Sequence, residues 1–210
     1  RESVGRIIET LRSVRKQKKI FLFLIAFFFF IDGVYTIIDM ATAYGSALGL
    51  DSTGLLLALL VTQFVAFPFS ILFGRLAEKY DTGKLILTCI AAYTGITVFA
   101  VFMKAQWQFW VLAIFVGMFQ GGIQALSRSY FAKIVPPERS GEYFGLMDIF
   151  MGTTVVGLAS QAFGSINIGV SAIVFLFLAG ALFFMKTEHS GSESTKNQEN
   201  VIMEQQMFHD

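Results

Sequence analysis

The chain has 210 residues, 55% of them hydrophobic and only 15% charged, with 24 phenylalanines and a net charge of +1. Soluble domains carry about a quarter charged residues, so this composition excludes an ordinary water-soluble fold and predicts an all-α polytopic membrane protein. The one cysteine, Cys89, lies inside an apolar run, which excludes a disulfide framework and a cysteine metal cluster.

The first nineteen residues are basic, and Val4, Ile7, Ile8, Leu11 and Val14 recur at helical spacing among Arg and Lys. This predicts an amphipathic helix at the cytoplasmic membrane surface, with a solvated linker as the alternative. No signal-peptide pattern follows. The chain begins with Arg1 rather than Met, from which we expect a segment of a longer protein.

Six apolar spans follow, at 20–38, 53–73, 85–103, 107–126, 143–163 and 168–185. Each is long enough to cross a bilayer as a helix. Helices are required, because a single spanning segment must satisfy its own backbone hydrogen bonds, and the strict alternation of a membrane β-barrel is absent. Pro68 removes one hydrogen bond within the second span and is expected to bend it. Gly117 and Gly121, four residues apart, allow another helix to approach the fourth span closely. Trp107 and Trp110 suit the outer water–lipid boundary. Pro136 and Pro137 end the fourth element, and 187–210 is polar and expected to be a disordered tail.

The basic residues orient the spans. Arg1, Arg6, Arg12, Arg15, Lys16, Lys18 and Lys19 precede the first, Arg75, Lys79 and Lys84 follow the second, and Arg128, Lys133 and Arg139 follow the fourth. Lys186 and Lys196 follow the last, and Lys104 alone falls on the opposite side. Such a bias places both termini in the cytoplasm.

Ionisable and amide side chains at membrane depth are costly and normally face a protein interior or an aqueous cavity. Asp32 follows four phenylalanines and an isoleucine, and Asp39 lies two helical turns on. Gln120 and Gln124 share a face of the fourth span, Arg128 continues it, and Asp148 lies early in the fifth. Plainer roles exist for each. Asp39 and Arg128 can lie near water, the two glutamines can join helices, Asp148 can stabilise the start of its helix, and Asp32 can be structural. Recognised catalytic patterns are missing: both histidines, His189 and His209, are in the polar tail, and neither Gly-x-Ser-x-Gly nor a phosphate-binding Gly-x-x-x-x-Gly-Lys-Ser/Thr loop occurs. We therefore expect no enzyme, no metal, no cofactor and no nucleic-acid partner.

Residues 74–84, Gly-Arg-Leu-Ala-Glu-Lys-Tyr-Asp-Thr-Gly-Lys, read as a charged cytoplasmic connection. They resemble the signature loop of the major facilitator superfamily, Gly-x-Leu-Ala-Asp-Arg-x-Gly-Arg-Lys. Gly74, Leu76 and Ala77 match, Glu78 and Lys79 stand for the Asp and Arg, and Asp81 takes the second Gly position with Gly83 two residues late. Two further segments, Phe30-Ile31-Asp32-Gly33-Val34-Tyr35-Thr36-Ile37-Ile38 and Gly121-Gly122-Ile123-Gln124-Ala125-Leu126-Ser127-Arg128-Ser129-Tyr130-Phe131, are similar to the vacuole effluxer branch, which includes the autophagy-related amino-acid effluxers. Glu142-Tyr143-Phe144-Gly145 and Asp148-Ile149-Phe150 fit as well. Many members carry Gly-Lys just after that Asp, whereas Met151-Gly152-Thr153 here has no lysine.

The resemblance implies the C-terminal six-helix half of a secondary transporter, built as an inverted 3+3 repeat. Residues 1–19 would be the end of a central linker, 20–186 the transmembrane domain and 187–210 the tail. It implies an N-terminal six-helix half as partner, a small-molecule substrate and a multi-pass location, the cell membrane being the expected one. Asp32 is the expected substrate or ion contact, with Gln120 and Gln124 hydrogen-bonding it. Gly74, Arg75, Glu78, Lys79 and Asp81 are expected to form a cytoplasmic charge latch. The rival reading is a non-transporting six-helix scaffold or subunit, which predicts no aqueous cavity and an Asp32 held inside the bundle.

Overall fold

The computed structural model describes residues 10–47, 49–151 and 173–190, with only the backbone described at 39, 42–44, 47, 150 and 151. Helix α1 covers 10–16. It is followed by α2 (Lys18–Ala47), α3 (Ser52–Lys79), α4 (Thr82–Val101), α5 (Gln106–Ile134), a 3₁₀ turn (Pro137–Arg139) and α6 (Ser140–Met151). The last described helix, α7, is Ile173–Ser190. Among the described residues there are no strands, and five helices (α2 up to Ile38, α3, α4, α5 and α7) are long and apolar enough to cross a membrane. The predicted span at 143–163 begins as α6 and runs beyond residue 151, outside the described residues.

Helix α2 is the axis of the bundle. Its apolar side chains point all round, and Phe23, Phe27, Phe30, Ile31 and Val34 are buried, as expected of a helix enclosed by others. It packs on α3, α4, α5 and α6. At Gly180, α7 comes so near α2 that an added Cβ would stand 3.1 Å from the Phe30 backbone nitrogen. Phe23 stacks on Tyr130 and Phe131 of α5, with ring centroids 5.1 and 5.4 Å apart. Gly49 ends this part of the chain with φ of 87°, a conformation that favours glycine, while Leu50 N–H donates to Gly45 O at 2.9 Å.

The tightest seam joins α3 to α5, as the paired glycines lead one to expect. A Cβ on Gly117 would lie 2.5 Å from Thr62 O, and one on Gly121 would lie 2.1 Å from Ala66 O. Across the same seam the Thr62 hydroxyl donates to Ala58 O at 2.9 Å and to Ala113 O at 3.2 Å. The opposite side of α3 carries exposed Leu56, Leu60, Phe64, Phe67 and Ile71, and only 17% of its most apolar window is buried, against 67% for α2. The helix runs through Pro68 without a break.

Several expected boundaries move. Most of 74–84 is helix rather than loop, because α3 continues to Lys79 and α4 starts at Thr82. Leu76, Ala77, Glu78 and Lys79 are strong helix formers, so the end of the apolar run is not the end of the helix. Asp81 makes the break by accepting from Gly83 N–H at 2.8 Å, which caps α4. As the stop at Pro136 and Pro137 leads one to expect, α5 continues past its apolar span to Ile134, whereas α7 takes in 187–190, the first residues of the expected tail. The rest of that tail, 191–210, lies outside the described residues.

The basic N-terminal segment makes specific contacts with the bundle. Its described part docks on the protein through Thr10, Ser13, Val14 and Gln17, one face of α1 and its exit. Thr10 Oγ1 donates to Glu142 Oε2 at 3.2 Å, and Gln17 Nε2 to the Tyr143 hydroxyl at 3.1 Å. The Ser13 and Tyr143 hydroxyls lie 3.2 Å apart, and Val14 is buried between these contacts. Val4, Ile7 and Ile8 lie outside the described residues, and Leu11 is exposed.

Candidate functional site

A cleft opens between α2, α3 and α5, with about 40 Å³ of free space. Its walls are mostly apolar, from Ile37 and Ala41 of α2, Ala58 of α3, and Phe109 and Val116 of α5. Three polar side chains break that surface: Thr62 and Gln63 from α3 and Gln120 from α5. By the rise of an α-helix, Gln63 lies about 16 Å from the start of α3 and Gln120 about 21 Å from the start of α5. A hydrocarbon core is about 30 Å thick, so both are near mid-depth.

Gln120 is 8% exposed, and its Oε1 has no hydrogen-bond partner among the described residues. A buried carbonyl without a donor costs about 1–3 kcal/mol. The cleft therefore favours a guest that brings an N–H or O–H group to that oxygen. Thr62 is less available, since its hydroxyl is already turned to two backbone carbonyls.

The expected pathway residues divide into separate groups. Gln120 lines the cleft. Asp32 is 2% exposed within α2, nine residues before Ala41, and no hydrogen bond joins it to Gln120 or Gln124 among the described residues. Its backbone carbonyl accepts from Thr36 Oγ1 at 2.8 Å, and the next residue, Gly33, lies against the Phe177 ring of α7. Gln124 is half-buried one turn below Gln120. The side chain of Asp39 lies outside the described residues.

Arg128 and Asp148 are brought together: Arg128 Nη2 donates to Asp148 Oδ1 at 3.0 Å, joining α5 to α6. About half of each side chain is exposed, so the pair adds at most about 1 kcal/mol. Its geometric role is clearer. It sets a cation from α5 beside Asp148.

Of the five expected latch residues, Gly74, Arg75, Glu78 and Lys79 lie on the exposed last turns of α3. None of them enters either ion pair found among the described residues. Asp81 is the cap of α4.

Residues that sequence reasoning passed over occupy the same face. The Tyr130 hydroxyl donates to Glu188 Oε1, and Lys133 Nζ donates to Thr82 Oγ1 at 3.0 Å. The signal for Glu188 was present in the buried positions Ile173, Leu176, Phe177, Gly180, Phe184 and Thr187, whose helical spacing carries α7 past the last apolar run. Among the described residues, no three His, Cys, Asp or Glu side chains gather as a metal site would require.

Comparison with known proteins gives this geometry a context. A family model described as "Vacuole effluxer Atg22 like" matches residues 2–196. An uncharacterised MFS-type transporter, YxiO of Bacillus subtilis, is 42% identical over 206 residues, covering 95% of this chain and 48% of the relative. Autophagy-related protein 22 of Cryptococcus neoformans is 25% identical over 198 residues, covering 83% of this chain and 35% of that protein. Autophagy-related protein 22-2 of Aspergillus clavatus is 26% identical over 193 residues, covering 80% and 30% respectively. The chain thus spans about half the length of the bacterial relative and about a third of the fungal ones.

Proposed function

Because the chain belongs to the family of vacuole effluxers described as Atg22 like, a family of multi-pass membrane transporters, we propose that it is the C-terminal six-helix half of a secondary transporter. In this reading it moves a small solute by alternating access, rocking against an N-terminal six-helix half. Amino acids are the first solute class to test, in keeping with the effluxer family. Both termini are cytoplasmic, and the cell membrane is the proposed location.

The observation that carries the proposal is the mid-depth cleft, where Gln63 and Gln120 bring amide groups to an otherwise apolar wall. Both amides suit a polar guest. Asp32 supplies the ionisable group, acting from inside α2 on the substrate or a coupling ion. Asp39, Gln124 and the Arg128–Asp148 pair continue the path towards the two faces, and the end of α3 (Gly74, Arg75, Glu78, Lys79), with Asp81, meets the other half as a charge latch.

The Gln120→Leu variant tests the cleft. Leucine keeps the volume and removes the hydrogen-bonding group. We expect the apparent substrate affinity in proteoliposomes to fall roughly two- to twelvefold, the equivalent of one hydrogen bond of about 0.5–1.5 kcal/mol, with thermal stability preserved. Unchanged transport would remove Gln120 from the path.

One observation favours the scaffold reading: Asp32 is buried in the bundle rather than set on the cleft wall. Family membership and the amide groups on the cleft wall weigh the other way.

A further inference from the structure

At the cytoplasmic face, three helix ends meet around one carboxylate. Glu188, in the last turn of α7, accepts the Tyr130 hydroxyl of α5 at 2.5 Å. The same carboxyl group lies over the first turn of α4, so near Gly83 that an added Cβ would meet its three atoms at 2.8–3.0 Å. Backbone N–H groups at a helix start are unsatisfied by the helix itself and favour a negative charge. Asp81 takes the Gly83 N–H, and Lys133 of α5 reaches the neighbouring Thr82 hydroxyl at 3.0 Å. The contacts close a triangle: α4 to α7 through Glu188, α7 to α5 through Tyr130, and α5 to α4 through Lys133.

We propose that Glu188 is a conformational brace, clamping the cytoplasmic ends of α4, α5 and α7 into one body. The triangle explains the displaced glycine of the 74–84 segment, because Gly83 is the position where a side chain would push the carboxylate away. It also separates the helices by role. Among the described residues no hydrogen bond or ion pair joins the side chains of Arg75, Glu78 or Lys79 to the brace, whereas the braced ends form one rim. The consequence for transport rests on the transporter reading; the clamp itself does not.

The test uses the intact protein in lipid nanodiscs with spin labels at Lys84→Cys and His189→Cys, both exposed positions, while native Cys89 is buried. The parent should give one short, narrow distance. Glu188→Ala and Gly83→Ala should each lose that narrow population, and Tyr130→Phe should lose part of it. Combining Gly83→Ala with Glu188→Ala should be no worse than Glu188→Ala alone, because the new methyl then has no carboxylate to displace. Should Gly83→Ala fail to fold, Glu188→Ala and Tyr130→Phe decide the matter. A narrow distance retained in both, or full additivity of the double variant, overturns the brace. Loss of solute flux with all distances unchanged also counts against it, whereas absence of flux in the parent bears on the transporter reading and leaves the distances to decide the clamp.

Discussion

Gly121→Ala is expected to destabilise the bundle by at least about 1–3 kcal/mol, the usual penalty for forcing an extra methyl into a packed interior. The reason is the identity of the atom in the way. The new Cβ would stand 2.1 Å from Ala66 O, and a backbone carbonyl inside a helix cannot swing aside as a side chain would. Helices α3 and α5 must separate, which breaks the Thr62 to Ala113 hydrogen bond and distorts the cleft built on that seam. Gly117→Ala meets Thr62 O in the same manner. The control is Gly95→Ala in α4, where nothing lies within 4 Å of the new methyl. Thermal unfolding in detergent, followed by the fluorescence of Trp107 and Trp110, should show an early transition for Gly121→Ala and a parental one for Gly95→Ala. Equal midpoints would mean that the seam is looser than described.

Asp32→Asn is expected to abolish gradient-driven accumulation of solute while leaving the protein folded and inserted. An ionisable residue inside a span is kept at a cost and normally serves a pathway. Asparagine preserves its size and shape but cannot ionise. Two assays then separate the possible roles. A coupling residue loses accumulation and retains exchange of internal for external solute, whereas a substrate-binding residue loses both. Parental behaviour in both assays would assign Asp32 to packing alone, as the scaffold reading has it.

Much of this architecture was legible because membranes constrain sequences strongly. Apolar length marked the helices that cross, the lysine and arginine bias suggested which ends share a face, and Gly117 with Gly121 announced a close seam. The partner in that seam was not legible, since it depends on which face α3 turns towards a helix some fifty residues away. For the same reason Gln63 passed unnoticed: one amide in a run of leucine and phenylalanine acquires meaning only when α3 sets it beside Gln120. Arg128 and Asp148 were both picked out by polarity, but their pairing is a tertiary fact. The ends of helices were read poorly where apolarity and helicity part company. The segment from Arg75 to Lys79 is charged and yet helical, and Thr187 and Glu188 are polar and yet packed. Composition assigned those residues to loop and tail, while their contacts place them at the junction of three helices.

The account depends most on the cleft being a path for water and solute. Cysteine placed at Gln63, in sealed membranes carrying the intact protein, can be challenged with a membrane-impermeant maleimide. Cysteine at Phe115 serves as the comparison, since this residue lies at similar depth on α5 and faces a wholly apolar groove with Phe99 and Gly95. Native Cys89 is buried and supplies little background. The account predicts that Gln63→Cys is labelled and Phe115→Cys is not, with substrate slowing the labelling. A Gln63→Cys protein as unreactive as Phe115→Cys would contradict it, leaving a sealed helical bundle with no route through.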